Sequence, residues 1–204
     1  MKEVSKMKTA QRYSRLFLWV LSLVVMLSFW FLRTLNVSAE TTMVNVTIES
    51  GTLHFTTIPN DVTFSNIKLT GQADKASQSL IPLKVTDARG TGKGWSVEVS
   101  ATPFAETSSS LALDPGSLKI KKPVAFTSEF VGSIPPTSNY LGSDPYSIDG
   151  GSSVKIVKAS DNSGLGPWTI SWDSDSLSLT LNPATTRIGT YVSTITWQLN
   201  DVPE

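Results

Sequence analysis

The chain has 204 residues, 40% of them hydrophobic and 17% charged, with 17 basic and 17 acidic side chains, one histidine and no cysteine. The missing cysteines exclude a disulfide framework and thiolate chemistry, and the balanced charge excludes the basic field that gathers nucleic acid.

The predicted elements begin with an export signal. Lys2, Lys6, Lys8, Arg12 and Arg15 form a basic n-region, Leu16 to Leu32 runs without a charge, and Asn36-Val37-Ser38-Ala39 presents the small and aliphatic residues a signal peptidase reads. Residues 1–39 therefore read as a secretory signal peptide with a hydrophobic helix, cleaved after Ala39. An uncleaved membrane anchor is the alternative, because a run of 17 apolar residues sits at the short edge of a bilayer span. The first 39 residues hold six of the basic and one of the acidic side chains, leaving 11 and 16 in residues 40–204 and a net charge of −5. Those 165 residues suffice for one domain with a sizeable core.

From residue 40 onward the pattern is strand and turn. Val44, Val46 and Ile48 alternate with polar residues before Ser50-Gly51, and Leu53 and Phe55 start a second alternating segment. Ile67 and Leu69 mark a third, closed by Thr70-Gly71, and a short helical turn is conceivable near Lys75-Ala76-Ser77. Ile81, Leu83 and Val85 run into the turn Thr86 to Gly90, after which Trp95, Val97, Val99 and Ala101 share one face against Ser96, Glu98 and Ser100. Leu118 and Ile120, Val154 and Ile156, Trp168 to Trp172, and Leu177, Leu179 and Leu181 follow in the same rhythm. Period-2 alternation punctuated by turns every 8–12 residues or so predicts an all-β fold, an antiparallel β-sandwich of Ig-like or Greek-key type. Between Val131 and Gly151 lies the longest irregular stretch, rich in proline and glycine, which reads equally as a functional loop or a surface excursion.

The closing strand carries Tyr191, Ile195, Trp197 and Leu199 on one face, which makes Trp197 and Leu199 inward partners on the last strand. Gly189-Thr190-Tyr191 also has the spacing of a tyrosine corner, in which the phenol bonds to nearby backbone.

Catalytic constellations are missing from the sequence. His54 lies between Leu53 and Phe55 with no partner at metal-ligand spacing, and no Gly-x-Ser-x-Gly elbow, phosphate loop or dinucleotide fingerprint occurs. Asp173 and Asp175 read as a surface turn, since one short acidic turn supplies neither a glycosidase cleft nor the ligand count of a calcium site. The expectation is a non-enzyme without cofactor or metal. Of the four tryptophans beyond residue 40, Trp95 and Trp197 read as core, while Trp168 and Trp172, four apart on one strand face, could form an exposed aromatic strip for sugar rings.

Val85-Thr86-Asp87-Ala88-Arg89-Gly90-Thr91-Gly92-Lys93-Gly94-Trp95-Ser96-Val97 resembles the proximal motif of the WxL surface domain of low-GC Gram-positive bacteria. The stretch from Gly189 through Trp197-Gln198-Leu199 to Pro203 is similar to that family's distal motif, and the two together span essentially the whole of residues 40–204. Valine stands at position 97, where the motif name has leucine. The resemblance implies a secreted protein held non-covalently on the cell wall, with peptidoglycan or another wall glycan as ligand and with WxL-interacting proteins and other WxL proteins as company. By resemblance the motif residues are Asp87, Arg89, Trp95, Val97, Trp197 and Leu199, in a binding or a structural role. The end at Asp201-Val202-Pro203-Glu204 shows no LPxTG motif or hydrophobic tail, which fits the expectation of non-covalent retention. A structural or adhesive subunit held by a partner protein is the competing expectation.

Overall fold

A computed structural model describes residues 16–27, 39–138 and 144–201. The chain divides into two compact units, Met1–Thr47 and Ile48–Glu204. In the first, residues 16–27 form a helix exposed at every position, and residues 39–47 are exposed without regular secondary structure. The basic n-region and Asn36-Val37-Ser38 of the predicted cleavage site lie outside the described residues. Among the described residues no helix is long and apolar enough to cross a membrane.

The second unit is built from antiparallel strands, as the alternation predicts. One sheet has the order β1 (Leu53–Thr57), β3 (Leu83–Asp87), β11 (Gly166–Ser171), β7 (Ala125–Thr127). A second runs β14 (Ile195–Asn200), β4 (Trp95–Ala101), β10 (Val154–Ala159), β8 (Thr137–Ser138), and a third β2 (Lys75–Gln78), β12 (Leu177–Thr180), β6 (Leu118–Ile120), β9 (Tyr146–Ser147). β5 (Ala105–Glu106) and β13 (Tyr191–Val192) make a two-stranded ribbon.

Alternation places one residue in two into a common core. Leu83 and Val85 of β3, Trp95, Val97 and Val99 of β4, Leu118 and Ile120 of β6, Trp168 and Ile170 of β11 and Leu177 of β12 belong to one buried cluster drawing on all three larger sheets. Burying each such side chain contributes about 1.5–3 kcal/mol. A register shift in β10 between Lys155 and Val157 places Ile156 and Val157 both inside, where strict alternation would expose one of them. A smaller cluster of Leu113, Leu179 and Leu181 collects Phe64, Ile67, Phe104 and Tyr191.

Three expectations are corrected. Val44, Val46 and Ile48 alternate, yet residues 39–50 form no strand and pair with nothing among the described residues, since a strand needs a ladder partner as well as a pattern. Ile67 and Leu69 likewise lie in irregular chain, Ile67 half-buried and Leu69 exposed. Lys75–Gln78 is a strand, not a helical turn: its poor β-propensity is overridden by pairing with β12, Ala76 opposite Leu179.

The irregular stretch from Val131 to Gly151 is partly built into the fold. Residues 139–143 lie outside the described ones, but β8 pairs with β10 and β9 with β6. Asp149 is buried and its carboxylate accepts from the Gly116 and Leu118 N–H groups at 2.9 and 3.0 Å and from the Ser147 hydroxyl at 3.1 Å. That carboxylate anchors the end of the loop to the start of β6. The Tyr191 phenol donates to the Arg187 carbonyl at 3.1 Å, the local bond expected of a tyrosine corner.

Candidate functional site

The two motif strands are neighbours. β14 pairs antiparallel with β4 so that Leu199 lies opposite Val97, Trp197 opposite Val99 and Asn200 opposite Ser96. The Trp-x-Val and Trp-x-Leu tripeptides, about a hundred residues apart in sequence, thus line one continuous sheet face.

Trp95 and Val97 are fully buried. Opposite Trp95 on β10 stands Ala159, and the indole Nε1 donates to the Gly164 carbonyl at 3.0 Å. Gly164 has φ +69° and a Cβ there would sit 2.7 Å from that indole nitrogen, so glycine is required both by backbone conformation and by space. Gly94, at φ +71°, is held the same way: a Cβ would run into the Ala159 carbonyl. The glycines around Trp95 therefore exist to seat a large ring against bare backbone.

A charged clasp joins the two motifs. Arg89 Nε and Nη2 donate to Asp87 Oδ1 and Oδ2 at 2.9 and 2.8 Å, a bidentate pair in which the Asp87 side chain is wholly buried and the Arg89 side chain nearly so. Arg89 Nη2 also donates to the Gly94 carbonyl at 2.7 Å, and Nη1 to the Asp201 carbonyl at 3.0 Å. One guanidinium thereby ties the turn before β4 to the end of β14. Burial pushes the Asp87 carboxyl up, but the Arg89 hydrogen bonds and charge outweigh it and hold the group below its ordinary value. The Asp87 hydrogen bonds raise Arg89 in turn, against the opposing effect of its own burial.

Trp197 and Leu199 are half-buried and pack against the edge of the main core. The Trp197 ring meets Trp172 edge to face, with centroids 5.9 Å apart and planes at 62°. Its indole N–H has no hydrogen-bond partner among the described residues, unlike those of Trp95, Trp168 and Trp172.

Trp168 and Trp172 overturn the reading of an exposed strip. They are 4% and 9% exposed, and their indole nitrogens donate to the Leu165 and Lys121 carbonyls at 3.0 and 2.8 Å. Alternation placed them correctly on one face, but that face is covered by the core. Neither ring is available to stack on a sugar. His54 is exposed on β1 with its Nδ1 3.2 Å from the Thr52 hydroxyl, and Asp173 and Asp175 sit at an exposed turn, where Asp175 accepts from the Ser77 hydroxyl at 2.7 Å. Among the described residues no group of three or more histidine, cysteine or acidic side chains is placed to hold a metal ion.

The structure therefore brings Asp87, Arg89, Trp95, Val97, Trp197 and Leu199 into one assembly, with Trp172 against it. Sequence reasoning missed the receiving groups: the carbonyls of Gly94, Gly164, Lys121 and Asp201. Only the Gly-rich run before Trp95 hinted at them, since backbone acceptors leave no trace in residue type.

The fold and site together define an antiparallel β domain whose two tryptophan motifs form one strand pair behind an arginine clasp. The family model described as "WxL domain surface cell wall-binding" matches residues 36–203, and the chain belongs to that family. Membership makes it a cell-wall-associated surface protein. Comparison with curated proteins and with solved structures returned no match.

Proposed function

We propose that this chain is a non-catalytic, secreted module that binds the bacterial cell wall directly and without a covalent bond, with peptidoglycan as its ligand. The family match over residues 36–203 carries this reading. In the same reading residues 1–39 are a signal peptide cleaved after Ala39, residues 40–204 are the wall-binding domain, and no cofactor takes part. The shared core of the three larger sheets supports a layered sandwich. The motif residues act as scaffold: the Trp95 ring is buried with its N–H bonded to backbone, the half-buried Trp197 ring packs edge to face on Trp172, and the ligand contacts come from the exposed surface around them.

The test is co-sedimentation with purified peptidoglycan sacculi in the absence of any other protein. Direct binding puts the chain in the pellet. A second reading makes the chain a subunit held by a WxL-interacting protein or another WxL protein, and the half-buried edge strand β14 favours it. In that case the chain stays in the supernatant until the partner is added.

A further inference from the structure

The third sheet ends on β2, and beside that edge the chain leaves a slot. β2 pairs with β12 alone. The Leu181 N–H donates to the Asp74 carbonyl at 2.8 Å, so in the antiparallel register Asp74, Ala76 and Gln78 turn their main-chain groups to β12. Lys75 and Ser77 turn theirs to the open side, where no partner meets them among the described residues.

Residues 65–68 face this edge across a groove of about 420 Å³, and they too make no main-chain hydrogen bond to any described residue. That volume lies in the range of about 300–1,000 Å³ usual for ligand sites. The groove is held open. At one end the Gln78 amide donates to the Thr63 carbonyl at 2.9 Å; at the other the Thr70 N–H and hydroxyl donate to the Asp74 carboxylate at 2.9 and 2.6 Å. Between these ties Phe64 and Ile67 pack on the core, which fixes residues 65–68 away from β2.

Two facing rows of unmet main-chain groups accept one extended backbone, bonded on both sides. The ties set its length. Residues 65–68 span at most about 14 Å, so a short peptide enters, whereas the continuous strand of a folded partner runs into both ends. Charge selects further. Lys68 on one wall and Lys75 on the other form no ion pair among the described residues, while the Asp74 carboxylate is engaged by Thr70. A short peptide bearing carboxylates complements two ammonium groups on facing walls.

We propose that this groove takes the peptide stem of peptidoglycan, a short peptide with free carboxylates, as an added strand between β2 and residues 65–68. This rests on direct wall binding by the chain and names the part of the wall that is held. Lys68 and Lys75 meet the stem's carboxylates, and the main chain of Lys75 and Ser77 bonds its backbone.

Full-length chain, collected from the medium or from the membrane in detergent, is titrated calorimetrically with a synthetic stem peptide. The peptide is acetylated at its N-terminus and carries γ-linked D-glutamate and a terminal D-alanine carboxylate. Saturable binding is expected, and excess peptide should release the chain from sacculi. Lys68→Gln combined with Lys75→Gln, both at exposed positions, should weaken binding by about tenfold or more with an unchanged urea midpoint. Ser77→Pro removes an outward N–H that an edge strand can spare and should weaken binding, whereas Ser77→Ala keeps that N–H and should not. A chain that sediments with sacculi yet ignores the peptide, or sediments equally with sacculi stripped of their stems by an amidase, overturns this proposal and leaves wall binding standing. So does a folded double-lysine or Ser77→Pro variant that binds as the parent does, or an unrelated all-L acidic peptide of equal length that binds as tightly. A chain that binds neither sacculi nor peptide overturns both.

Discussion

β4 and β14 carry the same device, a tryptophan and an aliphatic residue two positions apart, but on strands of different rank. β4 lies between two partners, and its Trp95 and Val97 are sealed, with the indole bonded to backbone. β14 is an edge, and its Trp197 and Leu199 close one side of the core while keeping partial access to water. The difference teaches that a repeated motif need not mean a repeated job. The inner copy holds the fold, while the outer copy presents a strand whose main-chain groups and apolar face are incompletely used.

That contrast can be broken by substitution, most severely at the inner copy. Trp95→Ala is expected to destabilise the domain by about 3–5 kcal/mol, since it opens a cavity and leaves the Gly164 carbonyl without its donor. Urea denaturation followed by circular dichroism measures it. Arg89→Ala should cost a similar amount, about 3–5 kcal/mol, because the buried Asp87 carboxylate loses its counter-charge. Trp197→Ala is expected to cost less, about 2 kcal/mol, in keeping with half burial and an unbonded indole. Equal losses at Trp95 and Trp197 in the same denaturation series would dissolve the distinction between inner and outer copies. Val97→Leu, which restores the residue of the motif name, should destabilise by about 1–3 kcal/mol through overpacking of a fully buried site. The reciprocal Leu199→Val at the edge should cost under about 1.5 kcal/mol.

Acid sharpens the picture of the clasp. Asp87 is held below its ordinary value in the folded state, so its contribution is fully present above the unfolded carboxylate value near 3.8 and is lost as pH falls through the lower folded value. Thermal melts of the parent chain below pH 4 should therefore lose stability. In Arg89→Ala burial still raises the carboxyl and only the residue-89 main-chain N–H still lowers it, so the Asp87 carboxyl moves upward and the loss of stability in acid should shrink relative to the parent chain.

Much of this was legible in the residues. Alternation marked β1, β3, β4, β6, β10, β11, β12 and β14 and put Trp95, Val97, Leu118, Ile120, Ile170 and Leu177 on inward faces, because side-chain period follows from backbone geometry alone. It overran at Val44 to Ile48 and passed over Lys75–Gln78, where pairing decided against local preference. Trp168 and Trp172 show the same limit from the other side. Their common face was readable, but its cover was not.

The sequence by itself therefore determined most of the longer strands, their faces, the two motifs and the family they belong to. Only the tertiary structure decided that the motifs are adjacent strands, that one is central and the other an edge, and that Arg89 fastens the first to the carbonyl of Asp201. The physical reason is that periodicity is a property of one strand. Neighbours, edges and backbone acceptors are properties of how strands from distant parts of the chain meet.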